Sequence, residues 1–393
     1  MANPSVLIQQ LTLLAENPDA FSQHRSEIVS LARKATAALE TPFETFQRLV
    51  YSPLPLVLAR IAQERGIFKA LVENDGKPTS TALLAERTGV KLGILEPLLE
   101  YMSTQGMAEQ ISPQEYAATK LSHMLLNPLF VDGVTHFHDN CLPAFAALNA
   151  FLSKDPSDKR TAFQIGQRSE NDFYRWLETH PVQQGAFHRF MEAQFASLPT
   201  WLDVIDFEKE YAKHAGPETP IFVDVGGGAG QQCVALRKRF PNLKGRVVLQ
   251  DLPSVLDKAI TGDDVEKMGY DYLTEQPVKD ADKRTGARAY YFRQIMHNND
   301  DETCVRILQS QAPAMDKSSV ILIDEKVLPD EKPALTEGNW YTSALNLAMV
   351  AMFNALERRE AQWRKLLADA GFEILAIKTF TDFRDSVIVA VKK

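Results

Sequence analysis

Cysteine is scarce. The 393 residues hold three, Cys141, Cys233 and Cys304, far apart and with no C-x-x-C pair. That excludes a disulfide framework and a zinc-knuckle pattern, and it points to a reducing compartment, the cytoplasm, with three buried thiols. Basic charge is short as well. Lys and Arg total 43 against 51 Asp and Glu, a net charge of −8, so neither nucleic acid nor an anionic membrane would meet a basic surface. Long apolar runs are missing. The longest, such as 345–353, are too short to cross a bilayer, and residues 1–15 show no basic stretch followed by an apolar core. Repeats and low-complexity tracts are also lacking. What is there is 45% hydrophobic and 24% charged, an ordinary globular composition with length for about two or three domains.

Glycine is locally abundant. Residues 222–230 read Phe-Val-Asp-Val-Gly-Gly-Gly-Ala-Gly. An apolar run breaks into glycines, which predicts a buried strand, a tight turn and a helix over about 231–240. Glycines admit positive φ and let a ligand approach main-chain N–H groups. A second apolar strand, 246–250, ends at Asp251, about twenty residues on, where an acid can bind two ribose hydroxyls. The dinucleotide fingerprint G-x-G-x-x-G is not met, because Gln231 follows where a third glycine would pack helix on strand. With Asp224 ahead of the glycines, the stretch resembles the first motif of S-adenosylmethionine (SAM) enzymes more closely.

Three regions follow from the patterning: 1–130, 131–200 and 201–393. Residues 1 to about 45 read as helices that need a partner surface, with Thr41 and Pro42 breaking the pattern. Ser80 can cap a helix that Gly89 ends, and Leu92 to Gln105 forms a second helical pattern. Pro97 suggests that this helix starts close to it. A short extended pair near Ala108 and Tyr116 completes a winged-helix order. The second helix holds Glu96 and Glu100 and no arginine, so dimerisation fits it better than reading a major groove. Residues 131–200 read as helical and aromatic, with Phe187, Phe190 and Phe195 among the expected core. His136 and His138 sit in one turn, but i, i+2 spacing points the rings apart and no third ligand is obvious, so no metal site is expected. From about 201, strands near 220–225, 246–250, 288–293, 319–325, 373–379 and 386–391, with a weak one near 270–273, alternate with helices. The last two lack a helix between them, so one is antiparallel.

Polar groups gather at strand tips: Arg293 and His297 after one strand, Asp324 and Glu325 after the next, and Glu357 before the last helix. A histidine there can serve as a general base while an acid fixes its tautomer. Taken singly, Glu357 could be a helix N-terminal acid and His297 a cap.

The motifs Val223-Asp-Val-Gly-Gly-Gly-Ala-Gly230, Leu249-Gln-Asp-Leu-Pro253, Ile295-Met-His-Asn-Asn-Asp-Asp-Glu302, Ile323-Asp-Glu325 and Glu357-Arg-Arg-Glu-Ala-Gln-Trp363 resemble the plant- and fungal-type small-molecule O-methyltransferases. The likeness spans nearly the whole chain from about residue 50. It implies an α/β fold, a Rossmann-like SAM-binding domain with a mostly parallel seven-stranded sheet, behind an N-terminal winged-helix domain that forms a homodimer. It implies that Asp224, Gly226, Gly227 and Gly228 hold the methionine end of SAM. Asp251 and Leu252 would lie at the ribose, Asp271 and Tyr272 at the adenine edge, with Arg293 lining the cofactor. His297 would be the base, flanked by Glu325 and Glu357. A flat aromatic or polyketide-type acceptor would meet Phe187, Arg189, Met191, Trp340, Asn346 and Met349.

One departure is visible. Asn299 stands where the family carries tryptophan, so adenine packing must come from Tyr272 or Phe292. Relatives in fungal polyketide and pyridone pathways keep this fold and SAM, yet catalyse dehydration and pericyclic ring closure. That chemistry would use His136 or His138 with Arg293, which leaves methyl transfer and cyclisation both open.

Overall fold

The computed structural model describes residues 3–74, 76–194, 198–257, 259–279, 286–331 and 340–393; Phe195 lies outside them. The chain divides into two compact units, residues 1–123 with 333–340, and residues 124–332 with 341–393. The aromatic stretch 131–200 therefore clusters with the sheet.

In the first unit the helical pattern does break at Thr41 and Pro42: the helix Arg25–Leu39 ends just before them and Pro42–Tyr51 opens there. Thr41 and Glu44 exchange side-chain and backbone hydrogen bonds in a capping box, with proline at the first helical position. Ser80 caps Thr81–Thr88, and Gly89 ends it at φ 68°. The helix expected to start near Pro97 begins at Leu92 instead. Leu95, Leu99 and Met102 on its inner face are fully buried, and that packing carries the helix through the proline's missing N–H. Strands Glu109–Ser112 and Glu115–Ala117 pair antiparallel and, with Thr79–Ser80, form a three-stranded sheet.

In the second unit the strands are β1 (Pro220–Val225), β2 (Arg246–Asp251), β3 (Glu266–Gly269), β4 (Ala289–Arg293), β5 (Val320–Lys326), β6 (Phe372–Thr379) and β7 (Asp385–Lys392). Their order is β3-β2-β1-β4-β5-β7-β6, with β7 antiparallel between β5 and β6. The weak strand falls at β3, just before the expected 270–273. Asp271 instead makes a turn, its carboxylate accepting from Leu273 N at 2.9 Å. Neighbouring residues face opposite core layers: Phe292 and Ile321 pack on one side of the sheet, Tyr291 and Leu322 on the other. The order reverses between β1 and β4, so their C-terminal ends open the crevice where such sheets bind ligands.

Candidate active site

The crevice floor is the glycine turn. Gly226, Gly228 and Gly230 have φ of 70°, 60° and 88°, a region L side chains avoid. A Cβ at Gly226 would meet Ile295 Cδ1 at 2.7 Å, and one at Gly230 would meet Thr261 Cγ2 at 2.3 Å. Gly226 N and Gly227 N donate to Gln250 O at 2.8 and 3.1 Å, tying the turn to β2. Gly228 N donates to Asp251 Oδ2 at 2.8 Å and Leu252 N to Oδ1 at 2.7 Å. Burial raises the Asp251 carboxyl above its usual range, and these two N–H groups oppose the rise.

Asp224, at the end of β1, is 1% exposed. Cys233 Sγ donates to its Oδ2 at 3.6 Å, while Oδ1 has no hydrogen-bond partner among the described residues. Burial pushes this carboxyl up to about 7, with the Cys233 thiol and the Arg293 charge acting against it. Tyr272 lies over Gly226, its Cδ1 3.9 Å from where a Cβ would be. An orphan buried carboxylate oxygen, a glycine cradle and a second acid one strand over suit a cationic nucleoside.

The reacting groups stand on β4, β5 and the turn before the last helix. After Arg293 the chain takes a positive φ of 54° at Gln294, which swings Met296–Asn298 over the tip of β5. There Met296 N and His297 N donate to Glu325 Oε1 at 2.8 and 3.3 Å. His297 Nδ1 lies 2.9 Å from Glu357 Oε1 and 3.7 Å from Glu325 Oε2. Both acids are 3% exposed. One nitrogen of His297 and one carboxylate oxygen each from Glu325 and Glu357 lie within 4.8 Å of one another. Burial alone would lower the His297 pKa, but Glu325 and Glu357 outweigh it and raise it to about 9. Burial lifts Glu325 to about 7 against the attraction of His297. Arg293 Nε lies 3.4 Å from Asp324 Oδ2; burial raises Asp324 to about 6, opposed first by that arginine.

The other expected residues divide. Phe187 packs in an aromatic cluster with Phe173 (5.0 Å) and His136 (5.3 Å), joined by Met352 of the helix Trp340–Phe353. Met349 of that helix is buried. His136 is 6% exposed and accepts from Asn140 Nδ2 at 2.9 Å; burial lowers its pKa to about 4. His138 pairs with Asp139 at 2.7 Å and is partly accessible. Met191 Sδ accepts from Gln194 Nε2 at 3.1 Å. Three residues have protein partners of their own. Arg189 forks onto Asp132 at 2.8 and 2.6 Å, so its charge is satisfied on a neighbouring helix. Asn346 Oδ1 accepts from Glu357 N at 2.9 Å and so braces that acid's backbone. Trp340 is 64% exposed and belongs to the first unit, 5.8 Å from the Arg33 guanidinium. Leu252 is exposed, and Phe292 is fully buried in the core and unavailable to adenine.

Two groups were missed. Asn298 Nδ2 donates to the Tyr174 hydroxyl at 3.1 Å, and Tyr174 stacks on Phe353 at 5.8 Å and 25°. Arg358 spans the turn that carries His297. The first was hidden among many aromatics; the second stood beside Glu357 in a motif already quoted.

A family model described as an O-methyltransferase domain matches residues 213–373. The O-methyltransferase lepI of Aspergillus flavus is 34% identical over 95% of this chain and 94% of its own. Demethylsterigmatocystin 6-O-methyltransferase of the same fungus is 30% identical over 97% and 98%. The structure of LepI in complex with SAM superposes with a TM-score of 0.83 at 31% identity, covering 100% of both chains. A solved chain described as a pericyclic reaction enzyme gives 0.83 at 30%, again over 100% of both.

Proposed function

Because this chain belongs to the family of SAM-dependent O-methyltransferases, we propose that it methylates a phenol or enol hydroxyl of a polyketide-type secondary metabolite, with His297 as general base. One observation carries the reading: Glu357 engages His297 Nδ1 at 2.9 Å, which fixes the tautomer and leaves Nε2 for the acceptor hydroxyl. SAM, when bound, supplies a methyl group on a positively charged sulfur. Asp224 and Gly226 to Gly228 would hold its methionine end, Asp251 its ribose, and Tyr272 with Asp271 its adenine edge. A phenol of pKa ~10 is matched by an imidazole near 9, so the proton passes to Nε2 as the oxygen attacks. The resulting imidazolium rests between Glu357 and Glu325. Positioning supplies the rest of the rate. Phe187, Met349 and the aromatic cluster form the apolar wall for the acceptor.

The likeness to a pericyclic reaction enzyme, equal in extent to that of LepI with SAM, favours a second reading. In it the chain retains SAM unconsumed and cyclises or dehydrates its substrate, with Arg293 and His138 acting on it. His136 is less suited, since it is buried and already bonded to Asn140. Product mass decides. A gain of one methyl with release of S-adenosylhomocysteine supports transfer; unchanged mass, or loss of water, without that release supports cyclisation.

The organisation proposed is a winged-helix dimerisation domain over 1–130, a pocket segment over 131–200 and the catalytic domain over 201–393, in a cytoplasmic homodimer. Exposed apolar side chains on the first helices support the dimer: Leu7, Ile8, Phe43, Phe46 and Leu49 are each more than half exposed. Sedimentation at twice 44.0 kDa would agree with it, and a monomer would contradict it. The three buried, unpaired thiols support the compartment. Among the described residues, no helix is long and apolar enough to cross a membrane.

A further inference from the structure

Arg358 is 3% exposed. Its Nη1 donates to Met296 O at 2.8 Å and its Nη2 to Asn299 O at 2.8 Å, the two carbonyls that bracket His297. Its Nε donates to Asp301 Oδ1 at 2.9 Å, and the guanidinium lies 5.4 Å from the centre of the Trp363 ring. A buried guanidinium that spends its planar fork on one turn fixes that turn more tightly than a lysine would. The same arginine follows Glu357, so one dipeptide provides both the acid that orients the imidazole and the clamp on its backbone.

We propose that Arg358 is a positioning residue for His297, holding the turn that carries it and setting one positive charge against the two carboxylates that face it. This rests on the reading of His297 as the base. The charged groups around the imidazole are Glu325 from β5, Glu357 and Arg358 from the turn before the last helix, and Asp301 behind Arg358 at the start of Asp301–Gln311. The Cys304 thiol lies on the same side, 3.4 Å from Arg358 Nη2. The arginine's charge lowers the affinity of both His297 and Glu325 for protons. Without it, the two acids would hold the base protonated to higher pH.

The test follows the imidazole itself, by NMR titration of full-length protein carrying 13C-labelled histidine. The His297 signal is assigned by its loss in His297→Gln. Arg358→Met is expected to raise the His297 midpoint by about one pH unit. Asp301→Asn removes the exposed partner of the arginine and is expected to lower it slightly. Arg358→Lys keeps the charge and loses the fork, so the midpoint stays near wild type while kcat/KM falls about tenfold or more. Opposite shifts in the first two variants support the proposal. Midpoints that coincide, or that move the same way, overturn it. Should Arg358→Met fail to fold, the Asp301→Asn and Arg358→Lys pair still decides. An unchanged midpoint in Asp301→Asn with full kcat/KM in Arg358→Lys overturns the proposal, whereas wild-type protein that transfers no methyl counts against the base reading and leaves the titration readable.

Discussion

His297 and Glu357 meet through Nδ1 and Oε1 at 2.9 Å, whereas Glu325 approaches the same nitrogen only to 3.7 Å and gives its other oxygen to the backbone of the turn. The two acids therefore have different work. Glu357 faces the imidazole, and Glu325 holds the turn in place. Among the described residues no partner takes Nε2 of His297. His297→Ala is expected to lower kcat by about 10²–10⁴. Glu357→Gln can still accept from Nδ1–H and should lower kcat less, by loss of charge alone. Glu325→Gln keeps an oxygen for the two backbone N–H groups but loses the charge facing His297, so it should lower thermal stability modestly. Initial rates and melting curves on the three variants check this ordering.

The pH dependence has a definite sign. In the proposed role of base His297 must be unprotonated, and its folded pKa is raised to about 9. Methyl transfer at subsaturating acceptor is therefore expected to rise with pH up to about 9 and then level. Folding stability should run the other way. A histidine raised from 6.5 to about 9 stabilises the fold fully below about 6.5, by the order of 3 kcal/mol, and loses that contribution as pH climbs through 9. Glu325, raised to about 7, adds a loss of the same sign at lower pH. Thermal midpoints that rise between pH 6.5 and 9 would contradict the assignment.

Asp251 offers a test of the cofactor cradle that does not depend on the acceptor. Its two oxygens each accept one loop N–H, and a carboxylate keeps lone pairs for ribose hydroxyls that an amide cannot match. Asp251→Asn should weaken S-adenosylhomocysteine binding about 10–100-fold, the loss of one or two hydrogen bonds to a charged group. Calorimetry reads this directly, and equal heats and affinities in the variant would remove Asp251 from the site.

What could be read from the chain and what could not follow a physical line. The glycine turn, Asp251 and the strand tips are legible because apolar runs and backbone permissiveness act over a few residues. Partners that lie far along the chain are not legible in this way. Arg189 looks like a cation awaiting a substrate until Asp132, 57 positions away, is seen to satisfy it. Asn346 looks like a pocket amide until Glu357 N is found on it. Pro97 marks a helix start by propensity, yet the burial of Leu95 and Leu99 overrides it. Phe292 is one of two candidates for the missing aromatic at Asn299, and strand alternation turns it into the core.

Tyr174 gives the last prediction. Its ring stacks on Phe353 and its hydroxyl accepts from Asn298, the neighbour of His297. A phenol of pKa ~10 keeps its proton at neutral pH. Among the described residues no acceptor takes that proton, which leaves a neutral O–H donor beside the turn that carries His297. Tyr174→Phe preserves the stack and deletes the donor. It should lower kcat/KM by about 3–10-fold, the net worth of one neutral hydrogen bond, with thermal stability nearly unchanged because the side chain is half exposed. Tyr174→Ala should lower kcat/KM further by opening the wall beside Phe353. If Tyr174→Phe matches wild type in both kcat/KM and S-adenosylhomocysteine affinity, the hydroxyl touches no ligand, and the bond to Asn298 only joins the helical segment to the turn.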